Sequence, residues 1–168
     1  VRFDPKGKGW KNTLYDALEG LNPYSEELWN INQLIGMVKK YDFVNDDQKL
    51  IIEDQLNDYL MIHPSDVDAL VLYVQIGMKK NVSIDELHEY LDKALILEPD
   101  NAEANFWKGR LYGVEEDVTN GVYVDFVFRN YEASIKYIKT AISLDQNKNA
   151  YKETLALYLS SKRRFEEA

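Results

Sequence analysis

The feature that most constrains this chain is a break that repeats. In "ALILEPDNAEANFWKGRLYG", residues 94–113, one apolar helical stripe runs into Glu98-Pro99 and a second starts within three residues. Proline lacks an N–H, clashes with the preceding turn and biases the residue before it away from helical geometry, so no helix passes smoothly through 98–99. The same arrangement stands upstream at His63-Pro64-Ser65-Asp66, and Pro64 precedes Pro99 by 35 residues. Punctuation of this kind predicts a succession of short helices joined by tight turns.

The flanking segments agree. Residues 84–97 place Ile84, Leu87, Leu91, Ala94, Leu95 and Leu97 on one helical stripe at spacings of three and four. Ser83 with Glu86 predicts a capping box at its start, and Asp100 with Glu103 predicts the cap of the next helix, which runs through Ala102, Phe106, Gly109, Leu111 and Tyr112. Upstream, Leu50, Ile52, Leu56, Tyr59, Leu60 and Ile62 form a stripe, and Val67, Leu70, Val74 and Met78 form another. Downstream, Tyr131, Ile135, Ile138, Ala141, Ile142 and Leu144 lead to a break at 145–149, after which Leu155–Leu159 resumes. Near the start, "ALEGLNPYSEELW" at 17–29 has Pro23 in the break and Ser25 as the cap. Only 122–128 hints at a strand, so the predicted fold is all-α, an array of helix pairs.

With that period and those residues the sequence resembles the tetratricopeptide repeat (TPR) family, whose unit is a helix–turn–helix of ~34 residues. The family's second helix ends in a small residue, a large apolar one, and a proline five positions after the small one. "ALILEP" repeats this as Ala94, Leu95 and Pro99, and "AISLDQ" as Ala141 and Ile142 with Gln146 in place of proline. Gly109 and Tyr112 match the first helix, and Leu155, Ala156, Leu159, Phe165 and Ala168 fall on signature positions. The resemblance implies a right-handed α-solenoid of antiparallel helix pairs, a TPR-like superhelix. Residues 1–12, with Pro5, Gly7 and Gly9, read as an arm or linker, and 13–168 as one repeat domain. That domain holds an irregular unit at 14–65, units at 66–101 and 102–148, and a partial unit or capping helix at 149–168. Asn105 and Lys108 depart from the family's pattern, as does Tyr59, which stands in place of the small residue before Pro64.

Gln146 follows Pro99 by 47 residues, 13 more than the family period, which places an insertion near 114–130. Asn120-Gly121 is a turn signal, and an apolar run follows it. Two readings stand. The following helix starts early, near Asp125, with Phe128, Tyr131, Ile135 and Ile138 in one stripe. Otherwise the segment is a binding loop that offers Tyr123, Phe126 and Phe128 to a partner.

A net charge of −9 argues against nucleic acid or an anionic membrane as the partner, since both select a basic face. No apolar run approaches the ~20 residues of a membrane helix. Without cysteine there is no thiolate metal site and no cysteine nucleophile, and the two histidines, His63 and His88, show no metal-ligand spacing. "HPSDVD" at 63–68 reads as a capped helix junction, and "DVTNG" at 117–121 lacks the later ligands of a calcium loop. No phosphate-cradling loop or nucleophile elbow occurs. No catalytic residue, metal or cofactor is therefore assigned, and an enzyme is the third reading. The compartment stays open: a cysteine-free chain leans toward the cytoplasm, and one opening with Val1 leaves export possible.

The resemblance implies a concave groove lined by first helices. Carried over position by position, it presents Asp68, Val71, Gln75 and Met78 from one unit, and Glu103, Phe106 and Arg110 from the next, with Trp107 adjacent. Aromatics beside an arginine suit an interface hot spot, while packing of Phe106 and Trp107 between repeats is the competing reading. Chaperone-binding members clamp an acidic C-terminus with lysines and asparagines where this chain has Val71, Gln75, Phe106 and Arg110. Only Arg110 is basic, which argues against that clamp. The expected function is a non-catalytic protein-interaction module for an apolar or basic segment. The alternative is a structural, weakly self-associating piece of a scaffold. It rests on the contrast between seven acids against Lys49 in 45–68 and the basic stretch Lys148, Lys152, Lys162, Arg163, Arg164.

Overall fold

The computed structural model describes residues 28–117, 122–125 and 128–166, with side chains for all of these except 115–117, 122–125 and 163–166. The readings placed on 1–27, on Asn120-Gly121, on Phe126, on the Phe165 side chain and on Ala168 lie outside the described residues. Elsewhere helices dominate, which bears out the all-α expectation with one exception. In chain order these are α1 (Ile31–Lys40), a 3-10 turn (Tyr41–Phe43), α2 (Asp46–Ile62), α3 (Val67–Lys79), α4 (Ile84–Leu97), α5 (Ala102–Tyr112), β1 (Val114–Asp117), β2 (Val122–Asp125), α6 (Tyr131–Leu144) and α7 (Asn149–Glu166). No helix among the described residues is long and apolar enough to cross a membrane.

Short polar caps start most of these helices. Asn30, Asn45, Asp66, Asn101 and Asn130 each accept a hydrogen bond from the backbone N–H three residues on, which satisfies one of the orphan donors of the first turn. Two expectations are corrected here. Asn101, not Asp100, caps α5, because the Pro99-Asp100 turn closes with the Asn101 N–H on the Glu98 carbonyl at 3.1 Å and so spends one residue more. Ser83 precedes α4 but makes no side-chain capping bond.

The chain divides into two compact units, Val1–Pro64 and Ser65–Ala168. In the first, α1 packs on α2 around Trp29, Leu34, Met37, Tyr41, Ile52, Leu56 and Tyr59. The Trp29 N–H donates to Gln55 Oε1 at 2.8 Å, and the Tyr41 hydroxyl donates to Glu53. Leu50 and Ile62, read as members of the apolar stripe, face water instead, since the buried side of α2 is Gln48, Ile52, Leu56 and Tyr59.

In the second unit each helix packs on the next from α3 to α7, and α3 also reaches α5. The buried side of α4 is Ile84, Leu87, Leu91 and Ala94, and that of α6 is Ser134, Ile135, Ile138 and Ala141. Two glycines set how closely these helices approach. A Cβ at Gly109 would lie 2.7 Å from Ile138 Cγ1 and 2.9 Å from the Ser134 carbonyl oxygen, so α5 and α6 meet at near-backbone contact there. The buried Ser134 hydroxyl donates to the Gly109 carbonyl at 2.8 Å across the same crossing. At Gly77 a Cβ would meet Leu87 Cδ2 at 2.5 Å, so the Leu87 side chain of α4 sits directly on α3 there.

The exception to the helical fold is the insertion. Residues 122–125 do not open the following helix. They pair antiparallel with β1 in the register Val114↔Asp125, Glu115↔Val124, Glu116↔Tyr123 and Asp117↔Val122. The helix α6 begins only at Tyr131, behind its Asn130 cap. The run of valines with an aromatic favours a strand once a turn lets it fold back on its own neighbour. Phe128, expected within that helix, lies ahead of it and packs edge-on to Tyr131 and to Tyr158, with ring centroids 5.0 Å away in each case.

Candidate partner-binding face

The residues proposed for the groove divide into core and surface. Val71 is buried in α3, and Phe106 is only 6% exposed. The Phe106 ring stacks on Tyr151 of α7 at 4.5 Å between centroids and joins Ile135, Ile138, Ala141 and Tyr158 in the core. Of the two readings weighed for Phe106, the structure places it in the packing one. Asp68, Gln75 and Met78 fall at i, i+7 and i+10 on α3 and keep contact with solvent, Asp68 most of all. Glu103, Trp107 and Arg110 fall at i, i+4 and i+7 on α5 and are half-buried. Both sets are single faces of their helices, and the two helices are neighbours.

On α5 the three side chains hold one another. Trp107 Nε1 donates to Glu103 Oε2 at 3.2 Å, and the Arg110 guanidinium lies 5.7 Å from the centroid of the same indole ring, in cation–π range. Lys148, just ahead of α7, donates to the other Glu103 oxygen and lies 5.4 Å from the Tyr151 ring centroid. The Glu103 charge is therefore met from two sides, whereas the indole face is flanked by a cation. This produces an aromatic side chain already oriented, with a carboxylate at its N–H edge and a guanidinium over its ring. On α3, burial of its flank raises the Asp68 carboxyl above the usual carboxylate range, and the nearby charges of Asp66 and Glu98 add to the effect.

Sequence reasoning missed Lys148 as a member of this face and the buried Tyr151 beneath it. The signal was available in the repeat pattern itself: if first helices lie side by side, the start of α7 must border the start of α5. It also flagged Asn105 and Lys108 only as departures. Both are buried and both are satisfied. Asn105 Nδ2 donates to the carbonyls of Pro99 and Asn101 at 2.9 Å each, which ties the inter-helix turn to α5. Lys108, with a side chain 3% exposed, places Nζ 2.7 Å from Asp92 and 3.3 Å from the His88 carbonyl.

His88 lies beside this pair, its ring 4.6 Å from that of Tyr112. Burial pushes its imidazole down to about 4 and the Lys108 charge pushes the same way, with Asp92 opposing, so the ring is neutral at pH 7. The acids near it are each engaged by a cation, Asp92 by Lys108 and Asp85 by Arg129 at 3.3 Å. The other histidine, His63, sits against the Tyr59 ring at 4.5 Å. Among the described residues no group of three or more histidine or acidic side chains is placed to hold a metal ion. Tyr123 lies on β2, and Phe128 is half-buried against Tyr131 and Tyr158. No protein-family model, curated protein or solved structure matches this chain.

Proposed function

We propose that the chain is a non-catalytic protein-interaction module of the tetratricopeptide kind, a right-handed superhelix of helix pairs that holds a segment of a partner along its first helices. The observation that carries this reading is the Glu103–Trp107–Arg110 strip, a half-buried indole held by a carboxylate at its N–H and a guanidinium over its ring, on a helix that neighbours α3. A surface ordered before binding costs little side-chain entropy when a partner arrives, so the flexible segment bears most of the ordering. The short turns at 98–101 and 145–148 and the near-backbone contact at Gly109 support the repeat reading, because the family needs a small residue there. Asp68, Asp66 and Glu98 favour a segment with a basic residue near the start of α3, and the Met78 and Trp107 surfaces favour apolar residues beyond it. The second reading, head-to-tail self-association, rests on the contrast between the acidic stretch 45–68 and the basic stretch 146–164.

The test is a cross-linked pull-down from native extract with wild type and with Trp107→Ala/Arg110→Glu, followed by binding of the recovered partner to both purified proteins. Loss of at least about tenfold in affinity by a folded variant supports the groove. Equal binding by both removes it. Sedimentation at low and high salt separates the second reading, which requires an assembly at low salt that dissociates as salt screens the charges.

A further inference from the structure

Helix α2 carries apolar side chains on the side that faces water as well as on the side that faces the core. At about 100° per residue, Asp47, Leu50, Asp54, Asp58 and Met61 fall within an arc of about 80°. That arc is nearly opposite the buried Gln48, Ile52, Leu56 and Tyr59. All its members are exposed, Leu50 at 55% and Met61 at 82%. Phe43, in the turn ahead of the helix, is 87% exposed, and Ile62 at its end is 63% exposed. Single apolar side chains in water are ordinary. Apolar residues in line along one helix face, with an acid beside each, make an amphipathic docking stripe.

Two of the three acids stand where α2 gains nothing from them. Asp54 and Asp58 are a like-charge pair at i, i+4, which destabilises a helix, and aspartate is a poor helix former. Asp58 precedes the last turn, where the negative end of the helix dipole disfavours an acid, and that turn holds no base. Lys49, the one base on α2, is engaged elsewhere: its Nζ lies 3.2 Å from Asp46 and 5.9 Å from the centroid of the Tyr41 ring. A cation brought by a partner would relieve the repulsion that the folded chain leaves standing.

We infer that this face of α2 docks a basic amphipathic helix of a partner protein. The stripe runs for about 16 Å, the rise of the residues from Leu50 to Met61. It offers side chains and no sheet edge, so the occupant must satisfy its own backbone groups, which a helix does and an extended segment does not. Apolar side chains of that helix would lie on Leu50 and Met61. Lysines or arginines flanking them would reach Asp47, Asp54 and Asp58. A second copy of α2 would bring acids to acids, which opposes pairing. The surface belongs to the first unit and shares no residue with the α5 strip, so it stands whether or not that strip binds.

The test uses the full chain and a capped helical peptide with leucine at helical spacing flanked by lysine; its control replaces lysine with glutamate. The lysine peptide should shift the methyl resonances of Leu50 and Met61, with binding that weakens as salt is added. The glutamate peptide should not bind. Asp47→Asn/Asp54→Asn/Asp58→Asn, and separately Leu50→Ser/Met61→Ser, should each lower the affinity by about tenfold with helical circular dichroism unchanged. Asp47→Lys/Asp54→Lys/Asp58→Lys should reverse the preference and take the glutamate peptide. Removing the same charge from exposed positions of the second unit, by Glu89→Gln/Asp100→Asn/Glu153→Gln, should leave binding intact, as should Trp107→Ala/Arg110→Glu. Equal loss in the second-unit charge variant would mean general attraction to an acidic chain and overturn the inference. Shifts centred on α5, a Leu50–Met61 face already shielded in the chain alone, or self-assembly that competes with the peptide would each overturn it too.

Discussion

Gly109→Ala is the sharpest probe of the helix packing. A methyl group there would meet Ile138 Cγ1 at 2.7 Å, the Ser134 carbonyl oxygen at 2.9 Å and the Ile138 backbone nitrogen at 3.1 Å. Two of these three atoms are backbone, so relief requires α5 and α6 to move apart, which would also stretch the Ser134–Gly109 hydrogen bond. Overpacking costs ~1–3 kcal/mol, and with two backbone atoms in the way the upper part of that range, about 2–3 kcal/mol, applies, against which alanine returns about 1 kcal/mol of helix propensity. The net expectation is a loss of about 1–2 kcal/mol. For a unit of this size that lowers the thermal midpoint by roughly 4–12 °C, read by circular dichroism. Gly36→Ala in α1 is the internal control. Among the described residues its Cβ would find nothing within 4 Å, so the same substitution should stabilise the first unit by about 0.5–1 kcal/mol. A Gly109→Ala protein as stable as wild type would refute the close crossing of α5 and α6.

Phe106 and Trp107 should separate core from surface. Phe106→Ala should cost about 3–5 kcal/mol of stability by chemical denaturation, and Trp107→Ala clearly less, with its main effect on binding. Around Lys108, Asp92→Ala should destabilise by about 1–2 kcal/mol, since it leaves a buried cation with only carbonyl and ring partners, while Lys108→Met should be close to neutral. For His88 the folded state holds the ring neutral with its affinity for protons pushed down to about 4, against about 6.5 when unfolded. The unfolded chain therefore binds more protons between those values, and stability falls as pH drops from 7 toward 4. His88→Gln should flatten that fall in a pH series of denaturant midpoints; Asp68, shifted up, has the opposite sign and is unchanged by the comparison.

Much of the helix succession was legible because its causes are local. Proline stops a helix wherever it stands, and the stripes through Leu87, Leu91 and Ala94 or through Ile135, Ile138 and Ala141 carry their period in the sequence. What escaped depends on partners distant in the chain. The hairpin was hidden because a short run such as Val122–Phe128 is compatible with strand or helix until it is known what it folds back on. Gly77 carried no local signal, as its role exists only because Leu87 crosses it. Lys108 looks misplaced until Asp92 arrives on a different helix. The same limit applied to the candidate site. Trp107 and Arg110 were visible as types, but the burial of Phe106 came from Tyr151, and the pinning of Glu103 from Lys148, 45 residues away.

The central claim is that partners are held on the α3–α5 face. The direct measurement is site-specific photo-crosslinking of the full chain to a captured partner, with the probe placed in turn at Gln75 and Trp107 and, on exposed outward positions of α4 and α6, at Lys93 and Lys139. Adducts from Gln75 and Trp107, with none from Lys93 or Lys139, are the predicted result. Adducts from Lys93 and Lys139 alone would contradict it.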